Sequence, residues 1–260
     1  MDNVNKTLYI PLYAKAYVSR KGLFLSDKTA EAICLKEKLS LSGKAASRWL
    51  AYYLGIRAAV YDSLVKQKAE KAPDTVVIHI GCGLDSRAQR VGFLTAKWYD
   101  LDFPEVINER KKYFGESDRY KLIGADALNT DWLKSIPEKE SAVIVMEGVS
   151  MYMPPEKLKS LYSKLCSHFD RLTVLTDCYT ALGAKMSEYK NPVKEVGVSE
   201  VFAIDDPVSL QTDGLLFIRE HDMSPDNFIN ELPSAERLIF RRLYAGGLSK
   251  KLYRLYEYGK

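Results

Sequence analysis

TVVIHIGCGLDSRAQRV, residues 75–91, decides how the rest of the chain is read. From Val76 to Ile80 aliphatic and β-branched residues follow one another with no full charge between them, the mark of a strand buried on both faces. Gly81-Cys82-Gly83 then turns the chain, and from Asp85 onward the polar and apolar residues take helical spacing. A strand that runs through a glycine turn into a helix is one βα unit, and such a unit predicts neighbours of its own kind.

Downstream the alternation continues. AKWYDLD reads as a strand, PEVINERKKYF as a helix opened by Pro104, YKLIGAD as a third strand and NTDWLKSI as a short helical turn. SAVIVMEG is a fourth strand, PPEKLKSLYSKLCSHF a helix with prolines in its first turn, and RLTVLTDCY a fifth strand. Beyond an irregular stretch come a strand in GLLFIREHDM, a helix across PDNFINELPSAERLIFRRL and a last strand in KLYRLYEY. The two final strands are placed as neighbours at the sheet edge. Upstream, Asp27 to about Lys71 is helical, and Pro73-Asp74 ends that region.

The pattern predicts a single α/β domain over residues 1–260: a helical N-terminal cap over 1–72 and a Rossmann-like, doubly wound core over 73–260 with a small cap insertion near 179–213. With 47% hydrophobic and 28% charged residues the chain has the balance of a folded globular protein. Its 38 basic and 34 acidic residues are interspersed, which argues against a nucleic-acid patch. Four scattered cysteines without a C-x-x-C pair indicate neither a zinc site nor a disulfide framework and fit a reducing cytoplasm. No signal peptide and no apolar window long enough for a membrane span is read from the chain. Oligomeric state is left open.

Ligands of such sheets bind at the carboxyl ends of the strands, near the point where strand order reverses. In chain order those ends carry Gly81 and Gly83, Asp100 and Asp102, Asp126, Glu147 with Gly148, and Asp177. Bare glycine backbone lets a ligand approach closely. Asp102 stands 19 residues past Gly83, where the acid that binds ribose hydroxyls falls in nucleotide-binding βαβ units. A dinucleotide would require glycine at position 86, which is Ser86, and Asp85 beside it would repel a pyrophosphate. S-adenosylmethionine, cationic and free of phosphate, needs the close approach and the ribose acid but no anion site. Asp126 with Leu128 suits the amine and face of an adenine, and Glu147 suits an ammonium or sulfonium.

HIGCGLDSRAQRV, WYDLDFPEVINERKKYF, GADAL and MEGVSMYM, with the opening TLYIPLYAKA and the late AIDDPVSLQTDGLLFIREHDM, resemble the leucine carboxyl methyltransferase family and its bacterial branch of polyketide-type O-methyltransferases. The resemblance implies a class I S-adenosylmethionine-dependent methyltransferase with a seven-stranded, mostly parallel sheet whose last strand is antiparallel. It also implies that Arg57 grips the cofactor carboxylate, with Gly81, Gly83, Asp102, Asp126, Leu128 and Glu147 completing the cofactor site and no metal. Where the branch carries an arginine in its opening motif this chain has Lys15, a point charge that cannot make a bidentate carboxylate contact.

The expected activity is methyl transfer to a carboxylate or hydroxyl oxygen of a small, polyketide-like molecule. The alternatives are a protein C-terminal carboxyl as acceptor, or a regulatory protein that binds the cofactor without catalysis. Alignment of acceptor, methyl and sulfur can supply ~7–11 kcal/mol of the barrier. A carboxylate acceptor needs no base; for a hydroxyl the candidates are Tyr152, His221 and Asp177. His79 and His168 are placed as structural residues.

Overall fold

The computed structural model describes residues 3–72, 74–92, 97–137, 139–190, 200–247 and 249–260. Three helices come first, α1 (Asn3–Arg20), α2 (Lys28–Lys36) and α3 (Arg48–Lys71). The core follows as β1 (Val76–Ile80), α4 (Arg87–Val91), β2 (Lys97–Asp102), α5 (Pro104–Arg110), β3 (Tyr120–Gly124), β4 (Lys139–Met146), α6 (Pro155–His168) and β5 (Phe169–Tyr179). It ends with α7 (Ala181–Lys190), β6 (Leu216–His221), α8 (Asp226–Ile229), α9 (Ser234–Tyr244) and β7 (Tyr253–Gly259).

One seven-stranded sheet has the order β3-β2-β1-β4-β5-β7-β6. The first five strands are parallel; β7 is antiparallel to β5 and pairs β6 in the same sense, so the two final strands are neighbours as expected. Strand order reverses between β1 and β4, which puts the end of β1 at the topological switch point.

β1 is buried along its whole length because both faces of the sheet are covered. Val77 faces a core shared with α1, α2 and α3, whereas Val76, Ile78 and Ile80 face a second core shared with α6. α6 buries Leu158, Leu161, Tyr162 and Leu165, a stripe at three- and four-residue spacing. α3 is buried around most of its circumference, being held between the sheet and α1.

Three boundaries differ from the pattern. α1 runs through Pro11, whose helix-breaking tendency hides an 18-residue helix stabilised by packing on α3. The helix expected after the glycine turn is only Arg87–Val91, with Phe93, Leu94 and Ala96 outside the described residues. The late helix splits into α8 and α9 at Pro233, which begins the second segment as its N-cap. Within the cap expected near 179–213, residues 191–199 lie outside the described set. On its return the chain binds the sheet edge, Ile204 N donating to Tyr179 O at 2.8 Å. No described helix is long and apolar enough to cross a membrane.

Candidate active site

Gly81 and Gly83 both have left-handed backbone, with φ of 68° and 50°. Gly81 N still donates to Leu101 O at 2.8 Å, so the β1–β2 ladder runs into the turn. A Cβ on Gly81 would stand 2.1 Å from Val149 Cγ1, just past the end of β4. Asp102 locks the turn from the neighbouring strand: Gly83 N and Phe103 N donate to its two carboxylate oxygens, each at 2.8 Å. Burial raises its pKa against the pull of those two N–H groups. Each oxygen keeps a lone pair for a further donor.

From α3, Arg57 reaches the end of β4. Its Nε donates to Glu147 Oε1 at 2.8 Å and its Nη1 to the Tyr253 hydroxyl at 3.4 Å. Nη2 stands over Gly148, 3.3 Å from where a Cβ would be, and has no acceptor among the described residues. Arg87 holds the other oxygen of Glu147. Burial alone would raise the Glu147 carboxyl, but the two guanidiniums outweigh it and hold the pKa at about 2. Asp177 is different: burial pushes it up to about 6, Arg57 draws it down and Glu147 adds to the rise. Gly148 N donates to its Oδ1 at 2.7 Å, while Oδ2 accepts no hydrogen bond among the described residues and lies 3.8 Å from Arg57 Nη1.

A family model for leucine carboxyl methyltransferases matches residues 6–166. The chain belongs to the leucine carboxyl methyltransferase family. It is therefore a methyltransferase. Among curated relatives, the tetracenomycin polyketide synthesis O-methyltransferase TcmP of Streptomyces glaucescens is 28% identical over 92% of this chain and 90% of its own. The S-adenosyl-L-methionine-dependent methyltransferase dpfgK of Gibberella zeae is 24% identical over 65% of this chain and 62% of its own. The solved magnesium protoporphyrin IX methyltransferase of Synechocystis PCC 6803, with bound S-adenosylhomocysteine, superposes with a TM-score of 0.53 at 13% identity, over 89% of this chain and 95% of that one. It supports the class I methyltransferase fold.

On this methyltransferase the sequence-predicted residues share one edge of the sheet. Asp126 and Leu128 follow β3, beside Asp102, whose backbone oxygen accepts from Ala125 N at 2.9 Å. Asp126 is exposed and its Oδ1 accepts from Leu128 N at 2.9 Å, a local turn that presents the pair at the edge. Tyr152 is 37% exposed in the turn after β4, and burial of its ring pushes its phenol up to about 12, so it keeps its proton at neutral pH. His221 ends β6, where its Nε2 is 2.6 Å from Glu257 Oε2; Lys68 binds the other oxygen of Glu257. His79 is buried in β1 and lowered to about 4, by burial first and by Arg87 second.

Asp85 needs a correction. It does not face the open turn: it is buried, with Arg90 at 2.5 Å and Lys15 and Arg87 each at 3.4 Å. Its charge is balanced inside the protein, so it repels no ligand at the turn, and Lys15 serves this internal pair. What disfavours a pyrophosphate instead is the brevity of α4, whose single turn builds little dipole, and Ser86, which is buried and donates to Asp27 at 2.5 Å.

Sequence reasoning missed Arg110. From α5 it donates to Gly83 O at 2.8 Å and Asp85 O at 2.6 Å, pairs with Asp100, bonds the Tyr120 hydroxyl at 2.9 Å and stacks 4.0 Å from the Phe114 ring. The glycine turn is thus fixed from below by a fully buried guanidinium. Its signal was available: Arg110 falls three and four residues after Ile107 and Val106, on the apolar stripe of α5.

Proposed function

We propose that the chain transfers a methyl group from S-adenosylmethionine to a carboxylate or hydroxyl oxygen of a small, polyketide-like molecule. The observation that carries this reading is Arg57 Nη2, a guanidinium nitrogen without a described acceptor, facing a bare-backbone edge that ends at the Asp102-locked glycine turn. An edge with a cation for a carboxylate at one end and an acid for a diol at the other fits the methionine and ribose parts of that cofactor. The likeness to TcmP supports a small polyketide-like acceptor.

In this reading Arg57 Nη2 holds the methionine carboxylate and Asp102 accepts from the ribose hydroxyls. Gly81 and Gly83 allow close approach, Glu147 faces the ammonium, and Asp126 with Leu128 borders the adenine. When bound, the cofactor would supply a methyl on a positively charged sulfur to an acceptor oxygen held in line with it; a carboxylate oxygen would have no proton to lose, whereas a hydroxyl would also have to give up its proton. The protein's own contribution is alignment, worth ~7–11 kcal/mol when it is good. Tyr152, which keeps its proton, is not a base at rest, whereas His221 is held by Glu257 through Nε2 and keeps Nδ1 for a proton.

Isothermal titration tests the reading. S-adenosylmethionine is expected to bind at micromolar levels and NAD not to bind. Asp102→Ala is expected to weaken binding about 10- to 100-fold, the loss of charge-assisted hydrogen bonds worth ~1.5–3 kcal/mol. Preference for NAD would refute it, and binding without transfer of labelled methyl to any acceptor in a metabolite extract would favour a regulatory role.

A further inference from the structure

Glu257 is an acid at a core position. Along β7, Tyr253 and Leu255 face the core under α3 while Tyr256 and Tyr258 face the other core, and Glu257 falls on the first of these faces, 4% exposed. A buried carboxylate is costly unless partners satisfy it. Here two do: Lys68 of α3 binds Oε1, and His221 at the end of β6 places Nε2 2.6 Å from Oε2. Arg219 Nε lies 4.0 Å from that second oxygen. The His221 contact first, and Lys68 with it, hold the Glu257 carboxyl at about 2 against its burial. An ionised carboxylate can only accept, so the proton of His221 sits on Nε2.

Nδ1 then carries a lone pair, and it has no hydrogen-bond partner among the described residues. His221 lines a cavity of about 220 Å³, together with Tyr53 of α3, Tyr244 at the end of α9 and Tyr253 at the start of β7. It pairs with Leu255, which pairs with Asp177, so His221 ends its strand level with that acid at the carboxyl edge of the sheet. One hydrogen bond joins the cavity to the candidate cofactor site: the Tyr253 hydroxyl accepts from Arg57 Nη1 at 3.4 Å. Burial pushes up the phenols of Tyr53, Tyr244 and Tyr253, so all three keep their protons. Glu220, paired with Arg254 at 3.6 Å, and Asp222 are the charged groups of the wall. Carboxylates hold protons weakly near neutrality, whereas an imidazole with an open lone pair suits proton transfer there.

We propose that Glu257, anchored by Lys68, is a positioning residue: it fixes His221 with its proton on Nε2 and leaves Nδ1 to take the proton of a hydroxyl acceptor bound in the cavity. The proposal rests on the methyltransferase reading above and, of the two acceptor oxygens left open there, selects the hydroxyl. In this step the acceptor O–H bond breaks, its electron pair stays on oxygen, and the proton forms an N–H bond at Nδ1. The imidazolium so formed keeps its Nε2–H on Glu257, whose negative charge balances it. A carboxylate acceptor would have no proton for this group to take.

para-Nitrophenol, whose phenolate is yellow, reports the proton directly. At neutral pH the full chain is expected to raise the phenolate absorbance above that of the same phenol in buffer. His221→Asn should abolish the rise, and Glu257→Gln should reduce it about tenfold, the loss of one charge-assisted hydrogen bond. Long-range nitrogen–proton spectra of the histidine rings, with His221 assigned from His221→Asn, should show the Nε2–H tautomer in the wild type and in Glu257→Asp, and a mixture in Glu257→Gln. With S-adenosylmethionine added, labelled methyl should pass to para-nitrophenol about tenfold or more faster than to para-nitrobenzoate. A phenolate signal unmoved by His221→Asn, an Nδ1–H tautomer in the wild type, or equal or no methyl transfer to the two probes overturns the proposal. Absence of the rise also overturns it, and leaves the cofactor reading intact where S-adenosylhomocysteine still binds. A His221-dependent rise with no nucleoside binding has the opposite meaning: the proton acceptor stands and the methyltransfer reading of the site falls.

Discussion

Gly81→Ala should cost far more than a methyl group at the end of a strand ordinarily would, for two separable reasons. The backbone there has φ of 68°, and an alanine in that left-handed conformation loses ~1–2 kcal/mol relative to glycine. The new Cβ would also stand 2.1 Å from Val149 Cγ1 and 3.1 Å from Val149 Cβ. Val149 Cγ2 is also only 3.3 Å from that position, so the overpacking against the two γ carbons is put at ~1–3 kcal/mol, for a total of about 2–5 kcal/mol. Val149→Ala removes both γ carbons and makes the two causes distinguishable. Urea unfolding of wild type, both single variants and the double variant should give a favourable coupling of ~1–3 kcal/mol, with the left-handed penalty persisting in the double variant. Cofactor titration on the same four proteins should show Gly81→Ala and the double variant both impaired, because the added methyl stays on the surface the ligand approaches. Additive unfolding energies, or a Gly81→Ala protein as stable as wild type, would refute the argument that β4's end packs against this turn.

Arg110→Ala should lower stability by ~3–5 kcal/mol by leaving Asp100 buried without its guanidinium, and Arg110→Lys should recover only part of it because one ammonium cannot serve Gly83 O, Asp85 O and Asp100 together; thermal unfolding reads both, and unchanged melting of Arg110→Ala would count against the clamp. Stability should also depend on pH in two opposed windows. Glu147, at about 2 rather than 4.5, and His79, at about 4 rather than 6.5, bind fewer protons in the native state, so their stabilisation is complete above about 4.5 and 6.5 and is lost as pH falls through about 2 and 4. Asp177, raised from 3.8 to about 6, has the opposite sign and makes the protein less stable as pH rises through that range. Urea midpoints against pH should therefore show Glu147→Gln flattening the most acidic limb, and an unaltered limb would contradict the assigned low pKa.

Legibility in the sequence followed the range of the forces involved. Strand ends were legible because each strand is a continuous apolar run that a polar residue or glycine stops, so Gly81, Asp102, Asp126 and Glu147 could be placed without knowing which strands pair. α1 was legible only as part of a helical cap over 1–72 and not by its own bounds, because Pro11 is a local signal against helix and the packing that overrides it comes from α3, more than thirty residues away. Asp85 was misjudged although Arg87 and Arg90 are close by in sequence, because only the fold, which adds Lys15 of α1, shows that its side chain turns inward rather than to the open turn.

The sequence by itself determined the α/β alternation, the glycine turn at the end of β1 and the spacing from that turn to Asp102, since periodicity and turn chemistry are set by near neighbours. Tertiary structure alone decided which charges meet. Arg57 and Glu147 are 90 residues apart, Lys68 and Glu257 are 189 apart, and Arg57 and Tyr253 are 196 apart. No local pattern couples such pairs; they are joined by the strand order that brings β4, β5 and β7 side by side under α3. Those surroundings then set protonation: two guanidiniums hold Glu147 down against its burial, while burial pushes Asp177 up one strand away.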